Sequence, residues 1–347
     1  MRRVMKVVAA MSVTALALAA CGNSTDNTPG ASSSTTAASG LKVGMAYDVG
    51  GRGDQSFNDA AAKGLDKAKA DLGADTKEAT AVNGEPESAR EERLQQLIDA
   101  GYVNIIAVGF AYAPAVKKVA GANPDVKFAL IDSTDAAGAN IESLTFAENE
   151  GSFLVGAAAA LKSKTANIGF IGGVNTDLIK KFEAGYVAGA KAVNPAVKVQ
   201  VKYLTQPPDF SGFGDPAKGK TAAEGMYQQG ADVVYAAAGG SGGGVFTAAS
   251  AAGKMAIGVD SDQALTAPAA VKDVIITSMI KRVDVSTFDF IKALTDGKFA
   301  AGNKIYDLKV DGVGYSTTGG QMDDIKAKLD AFKQQIIDGK IVVPTKP

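Results

Sequence analysis

The sequence has no histidine, no tryptophan and a single cysteine in 347 residues. Without an imidazole to accept the serine proton, a Ser-His-acid catalytic triad is excluded. The lack of histidine and of clustered cysteine also excludes the common zinc sites. No twelve-residue calcium loop is present, so only a site built from carboxylates stays open for a metal. We predict a protein that is not an enzyme and has no cofactor.

An excess of charge of one sign is also missing. The chain has 36 basic and 37 acidic side chains, for a formal net charge of −1. No basic stripe indicates a nucleic-acid partner, and no second long apolar run follows the N-terminus to indicate a membrane span. We predict a monomer that binds no nucleic acid. Aromatic residues make up only 7% of the chain, so each aromatic in a loop is a candidate for ligand contact.

The N-terminus has the layout of a secretory signal. Two arginines and a lysine lie within the first six residues, and residues 7–17 form a short apolar run before small residues. Cys21 stands where a bacterial lipoprotein signal places the residue to be lipidated. We predict a signal peptide over residues 1–20 and a lipid anchor at Cys21, on the outer face of the cell membrane. The alternative is an ordinary signal peptide with a chance cysteine.

Residues 21–40 contain almost nothing large and apolar after the cysteine. Such a stretch cannot bury enough surface to offset the entropy lost on ordering. We predict a flexible tether there. The remaining residues, 41–347, suit two lobes of ordinary domain size.

Strand-like and helix-like segments alternate from Leu41 onward. Short continuous apolar runs such as residues 104–108 are typical of strands buried on both faces of a parallel sheet. This alternation predicts an α/β fold with right-handed crossovers. Ten such units are too many for one compact open sheet, so we predict two open-sheet lobes; a barrel of eight repeats is the alternative, but the strand spacing is uneven. The predicted strands are 41–48, 75–82, 103–110, 127–132, 141–147, 167–172, 198–204, 232–238, 255–260 and 274–280, with two short strands at 304–310 and 313–315 before an amphipathic helix at 322–337.

The loop after the first strand is a candidate binding loop, because ligands of open α/β sheets bind at the carboxyl ends of the strands. It is rich in glycine and carries Asp48, Asp54, Ser56 and Phe57, and a helix is predicted to begin near Asn58. The alternative is a plain turn in which Ser56 or Asn58 caps the helix and Phe57 packs into the core.

Further candidates follow other strands. Each lone aspartate at a strand end is more often a cap, but several around one cleft, together with loop aromatics, favour a ligand site. The loop over residues 206–216 supplies two aromatics, Phe210 and Phe213, among proline and glycine. The strand ends supply Asp132, Gly240, Asp260 and Lys281.

The glycine run at residues 239–244 matches two motifs, and both fail. The G-x-S-x-G nucleophile elbow needs a histidine, which the chain lacks. A dinucleotide-binding loop needs a third glycine where Val245 stands.

The segment VGMAYDVGGRGDQSFNDAAAKGL (43–65) resembles the opening of the basic membrane protein family of bacterial lipoproteins, which are nucleoside-binding proteins of ABC uptake systems. The resemblance continues over nearly all of residues 41–320, through 144–165, 168–173, 178–195, 215–220, 230–249, 256–263 and 277–285. It implies a type I periplasmic-binding-protein fold, in which three crossing segments join two lobes and the ligand is clamped in the cleft. We accordingly expect a first lobe of residues 41–146 plus 276–308 and a second of 147–275 plus 309–347.

The resemblance also implies roles for these residues. A purine base would lie between two phenylalanines, of which Phe57 is one and Phe213 the other, with Phe210 as the alternative. Asp54 and Asp132 would read the base edge, and Asn58 belongs to the same family element as Phe57. The ribose would be held by Asp48, Gly240, Asp260 and Lys281. The implied partners are an ABC permease and its ATPase.

Two other functions stay open. A protein of the same fold could bind sugars or other small polar solutes, although sugar sites usually stack on tryptophan and this chain has none. A surface lipoprotein could also keep the fold for adhesion or signalling. No clamp of several arginines is apparent, which favours nucleosides over nucleotides.

Overall fold

The computed structural model describes residues 40–347, which contain twelve strands in two six-stranded sheets. The predicted signal peptide, the lipidation site Cys21 and the predicted tether up to residue 39 lie outside the described residues. The described residues, 40–347, belong to one compact unit. The predicted α/β fold with two open-sheet lobes is confirmed.

The two sheets have the same strand order, so each strand of one lobe has a counterpart in the other. All neighbouring strands are parallel except the last pair of the second sheet, which is antiparallel. The first sheet runs β2 (Asp75–Thr80), β1 (Lys42–Tyr47), β3 (Asn104–Ala107), β4 (Lys127–Ile131), β5 (Ile141–Phe146), β11 (Gly302–Tyr306). The second runs β7 (Lys198–Thr205), β6 (Asn167–Val174), β8 (Val233–Ala237), β9 (Met255–Asp260), β10 (Ile275–Lys281), β12 (Val313–Tyr315).

Helices cover both faces of each sheet, so the central strands β3 and β8 are buried along their whole length. None of the helices within residues 40–347 combines the length and the apolar composition needed to cross a bilayer. The helices are α1 (Phe57–Leu72), α2 (Glu87–Asp99), α3 (Ala113–Ala122), α4 (Glu148–Lys162), α5 (Asp177–Val193), α6 (Pro216–Gln228), α7 (Gly242–Ala252), α8 (Gln263–Thr266), α9 (Ala269–Lys272), α10 (Val283–Thr295) and α11 (Lys326–Ile337).

The chain passes between the sheets three times: after β5, after β10, and between β11 and β12. The second crossing differs from the predicted division, which gave residues 276–308 to the first lobe. Strand β10 pairs with β9 and β12 in the second sheet, so residues 276–281 belong to the second lobe and the crossing falls at Arg282. An apolar run buried on both faces fits either sheet, so the residues of this strand do not by themselves indicate which sheet it joins.

The C-terminal helix starts later than its pattern predicts. Helix α11 begins at Lys326 rather than at residue 322. Met322 and Ile325 are nevertheless buried in the second lobe's core, so the apolar periodicity continues through a turn that precedes the helix.

Candidate functional site

A cleft lies between the carboxyl ends of the two sheets. Both lobes line it, and eight of the nine predicted binding residues are among the lining residues. The exception is Gly240, since its neighbour Gly239 lines the cleft instead. The lining residues are Asp48, Val49, Asp54, Phe57, Asn58, Gly109, Phe110, Asp132, Leu178, Ile179, Phe182, Phe213, Ala237, Gly239, Val259, Asp260 and Lys281.

Asp54 caps the N-terminus of helix α1. Its Oδ1 accepts the backbone N–H groups of Ser56 (2.9 Å) and Asp59 (3.0 Å). Its Oδ2 accepts the backbone N–H of Asn58 (2.8 Å) and the side-chain amide of the same residue (3.1 Å). Four donors fill the lone pairs that a carboxylate offers. Ser56 occupies the N-cap position, as the alternative of a plain turn has it, but its side chain makes no capping bond and Asp54 binds the free N–H groups instead. This geometry leaves Asp54 little capacity for a base edge.

Asp48 follows strand β1 and is held by its neighbours. Its Oδ1 accepts the N–H of Val49 at 2.8 Å, and its own N–H donates to Asn58 Oδ1 at 3.1 Å. A Cβ at Gly109 would lie 2.6 Å from Asp48 Oδ2, so only glycine leaves room for this carboxylate. Burial raises the pKa of Asp48 to about 6, although the Val49 N–H and the nearby charge of Arg90 work against that rise.

Asp132 and Asp260 stand at the ends of counterpart strands, β4 and β9. Both have left-handed backbone conformations, with φ of 69° and 63°, which aspartate tolerates better than most residues. Burial also raises the pKa of Asp260 to about 6. Asp132 Oδ1 is buried and has no hydrogen-bond partner among residues 40–347. A buried acceptor of this kind is costly unless a donor reaches it.

Lys281, the last residue of β10, carries a cation buried at the cleft. Its side chain is 2% exposed, and its Nζ lies 2.5 Å from Asp132 Oδ2 and 3.7 Å from Glu148 Oε1. Desolvation lowers the pKa of Lys281, but the charges of Asp132, Glu148 and Asp260 outweigh it and raise the pKa overall. Three ring centroids lie close to Nζ: Phe57 at 4.8 Å, Phe146 at 5.0 Å and Phe182 at 5.6 Å.

Four phenylalanines line the cleft: Phe57, Phe110, Phe182 and Phe213. Phe110 packs edge-to-face against Phe213, with centroids 6.5 Å apart, and against Phe210, at 5.9 Å. Phe210 is not among the lining residues, so the geometry favours Phe213 over Phe210 as the second stacking ring.

Sequence reasoning misses Phe110, Phe182 and Glu148. Phe110 follows strand β3 at the same sheet edge as the predicted residues, so the strand-end rule could have found it. Phe182 lies in the apolar stripe of helix α5, where its pattern indicates core packing. Glu148 is 99% buried behind Lys281, and no local signal in the sequence marks it.

The two lobes touch across the cleft. Ser56 Oγ of the first lobe donates to Asp260 Oδ2 at 2.6 Å, and Ser261 Oγ donates to the Ser56 carbonyl at 3.1 Å. The Lys281–Asp132 ion pair also joins the lobes. This is a closed arrangement in which the site takes residues from both halves.

Comparison with known proteins places this geometry in a family. The family model described as "ABC transporter substrate-binding protein PnrA-like", Bmp, matches residues 41–346. The chain belongs to the Bmp family. This family consists of substrate-binding proteins, not enzymes. Within residues 40–347, no group of three or more histidine, cysteine, aspartate or glutamate side chains could hold a metal ion.

Known proteins that are similar to this chain cover most of its length. The CD4+ T-cell-stimulating antigen of Listeria innocua is 37% identical over 346 residues, with 95% of both chains covered. The ABC transporter nucleoside-binding protein BmpA of Lactococcus lactis is 38% identical over 325 residues, covering 88% of this chain and 90% of that one. A solute-binding protein of an ABC transporter system from Aeropyrum pernix superposes with a TM-score of 0.77 at 31% identity, covering 88% of this chain and 94% of that one.

Proposed function

We propose that this protein captures nucleosides, purine nucleosides above all, outside the cell and delivers them to an ABC permease. The observation that carries the proposal is the composition of the cleft: aromatic rings from both lobes together with carboxylates at strand ends. A relative at 38% identity is described as nucleoside-binding, which agrees with this composition.

The aromatic part of the cleft suits a flat heterocycle. Phe57 comes from the first lobe and Phe213 from the second, so a base held between them would be gripped only when the lobes close. Offset stacking on an aromatic ring contributes about 0.5–1.5 kcal/mol beyond the burial of area.

The polar part of the cleft suits a donor-rich ligand. Asp132 Oδ1 is the best-placed acceptor for a base N–H, because it is buried and unpaired. Asp48 and Asp260 would accept ribose hydroxyl hydrogens, and Lys281 would donate to a ribose oxygen. Hydrogen bonds to charged groups contribute about 1.5–3 kcal/mol each.

The charge of the cleft argues against phosphorylated ligands. The lining residues include four aspartates and one cation, Lys281, which already pairs with Asp132. A phosphate would meet repulsion there without an arginine to bind it bidentately. Nucleosides therefore fit the cleft better than nucleotides.

Ligand-screened thermal denaturation of residues 40–347 tests the proposal. Inosine, guanosine and adenosine should raise the melting temperature, while ribose, arabinose and amino acids should not. In calorimetry, Phe57→Ala should weaken inosine binding by tenfold or more, as expected for a lost stacking face and its buried area. Phe288→Ala, which removes a ring on helix α10 against Lys67, is the control and should leave affinity unchanged. Stabilisation by sugars alone would contradict the proposal.

The proposed location of the protein, at the outer face of the membrane, rests on its N-terminal sequence and not on the cleft. A lipid anchor at Cys21 would hold the protein at the outer face of the membrane, within reach of a permease. Metabolic labelling with palmitate should mark the wild-type protein and not Cys21→Ser, and the variant should be released from the membrane fraction. Equal membrane retention of both proteins would contradict the anchor.

A further inference from the structure

Phe210 belongs to the second lobe and does not line the cleft, but it contacts the first lobe beside the cleft. Its ring packs edge-to-face on Phe110, with centroids 5.9 Å apart and an interplanar angle of 67°. The guanidinium carbon of Arg90 lies 5.9 Å from the Phe210 centroid. Phe110 follows strand β3 and Arg90 lies on helix α2, so both partners belong to the first lobe, whereas Phe210 follows β7 of the second.

We propose that Phe210 is a positioning residue that stabilises the closed form of the two lobes. We call its contacts with Arg90 and Phe110 the clasp, and they set how long the captured ligand stays bound. The inference rests on the proposed function, because it assumes a ligand released by lobe opening. It assigns Phe210 to the closed state and not to a stacking face for the base.

On the first-lobe side, Arg90 faces two aromatic rings. It is 5% exposed, and its Nε has no hydrogen-bond partner among the described residues. Its Nε lies 3.8 Å from Glu85 Oε1, and its Nη1 lies 4.0 Å from Glu87 Oε2. Its guanidinium carbon lies 5.8 Å from the Tyr112 centroid, close to the 5.9 Å to Phe210. A planar guanidinium stacks on aromatic faces, and desolvation strengthens that attraction. The Phe210 ring therefore adds a second aromatic contact, from the opposite lobe, to a buried cation that also pairs with Glu85 and Glu87.

On the second-lobe side, the segment that carries Phe210 is fixed. Thr205 Oγ1 donates to the Asp209 carbonyl at 2.7 Å, and Ser241 Oγ donates to the Gly212 carbonyl at 2.7 Å. A Cβ at Gly212 would lie 2.0 Å from the carbonyl oxygen of Gly173, so the segment sits directly on strand β6. It must move with the second lobe when the cleft opens.

Because its two sides belong to different lobes, the clasp is a contact of the closed state only. When the lobes separate, Phe210 leaves with one half while Arg90 and Phe110 stay with the other. An interaction made only in the closed state shifts the population toward closure. It slows ligand release and has little effect on the encounter of ligand with the open cleft, so dissociation is the step it controls.

Phe213 lies three residues away on the same segment and lines the cleft, and it also contacts Phe110. The ring proposed to stack on the base and the ring proposed to hold the lobes therefore share one rigid support and one partner. A ligand that orders Phe213 and Phe110 would favour the Phe210 contact as well, which links occupancy of the cleft to closure at its rim.

Stopped-flow measurement of inosine release from the protein tests the clasp. Phe210→Ala should raise the dissociation rate constant by about tenfold, the combined effect of an aromatic pair and a cation–ring contact, with an unchanged association rate constant. Phe210→Leu keeps the apolar bulk and should give a smaller rise in the same direction. Phe299→Ala is the matched control, because Phe299 makes the same two kinds of contact within one lobe, with Phe290 at 6.2 Å and Lys127 at 5.3 Å.

Each outcome is decisive. A raised dissociation rate in Phe210→Ala alone supports the clasp, whereas unchanged release, or an equal rise in Phe299→Ala, overturns it. If the wild-type protein binds no nucleoside, the proposed function fails on its own. The clasp is then tested by small-angle X-ray scattering of the ligand-free proteins: a larger radius of gyration in Phe210→Ala than in wild type or Phe299→Ala supports it, and equal radii overturn it.

Discussion

Two aspartates of the cleft should make the affinity for the ligand depend on pH. Burial raises the pKa values of Asp48 and Asp260 to about 6, so both gain protons as the pH falls from 7 to 5. A protonated carboxyl accepts hydroxyl hydrogens less well than a carboxylate. The affinity for inosine should therefore fall with the pH, by about tenfold between pH 7 and pH 5 for each carboxylate that must be ionised.

Calorimetry at pH 7, 6 and 5 measures this fall. The Asp48→Asn/Asp260→Asn double variant is the control: it should bind more weakly at pH 7, and its affinity should vary little over the same range. Asparagine keeps the oxygen that accepts the Val49 N–H and tolerates the left-handed backbone at position 260. Wild-type affinity that rises toward pH 5 would show that the two groups bind in their protonated form.

Lys281 should stabilise the folded protein, because two buried carboxylates share its charge. Lys281→Met would leave the carboxylates of Asp132 and Glu148 buried without their shared cation, which costs about 3–5 kcal/mol in the free energy of unfolding at pH 7. Burial raises the pKa of Glu148, so the loss should shrink as the pH falls and that group gains a proton.

Urea denaturation of Lys281→Met and Lys181→Met compares two lysines that contact the same carboxylate. Lys181 lies 3.4 Å from Glu148 Oε2 but is 36% exposed, so its loss should cost less than about 1 kcal/mol. Equal losses in the two variants would show that the buried position of Lys281 adds nothing.

At the scale of elements, helices α4 and α5 depend on glycine for their close approach. A Cβ at Gly189 would lie 1.9 Å from the carbonyl oxygen of Phe153, and one at Gly185 would lie 2.1 Å from that of Asn149. Neither contact can relax by rotating a side chain, because both involve backbone atoms. The two helices must separate to admit even one methyl group.

Gly189→Ala should therefore lower the free energy of unfolding by about 2 kcal/mol or more, a typical cost of overpacking. Gly225→Ala is the matched control on helix α6, where a new Cβ would meet nothing within 4 Å. Removing a helical glycine from an open position should instead stabilise by about 0.5–1 kcal/mol. Denaturation of both variants checks the opposite signs, and stabilisation by Gly189→Ala would refute the close packing.

Element by element, the sequence predicts where strands lie better than which sheet they join. Runs such as residues 104–108 are apolar because both faces of β3 are covered, and this signal is local. The sheet that strand β10 joins depends on hydrogen bonds to β9 and β12, which no local pattern records. In the same way, Asp132 and Lys281 are predictable as strand-end residues, whereas the burial of Glu148 behind them arises only from the crossing of the chain between lobes.

At the scale of the whole molecule, the repeated strand order gives the cleft two similar walls. The carboxyl ends of two similar sheets face each other, so residues at equivalent places, such as Asp132 and Asp260, meet across one cleft. Neither lobe lines the cleft alone. A ligand that needs both halves can be gripped only in the closed form, and that form is what a transporter can distinguish from the empty protein.

We propose above all that the closed cleft holds a base between aromatic rings and a ribose against carboxylates. A crystal structure of residues 40–347 with inosine tests it most directly. We expect the base between Phe57 and Phe213, a base N–H on Asp132 Oδ1, and ribose hydroxyls on Asp48 and Asp260. A structure with inosine bound elsewhere, or in the cleft with its base away from both rings, would contradict the claim.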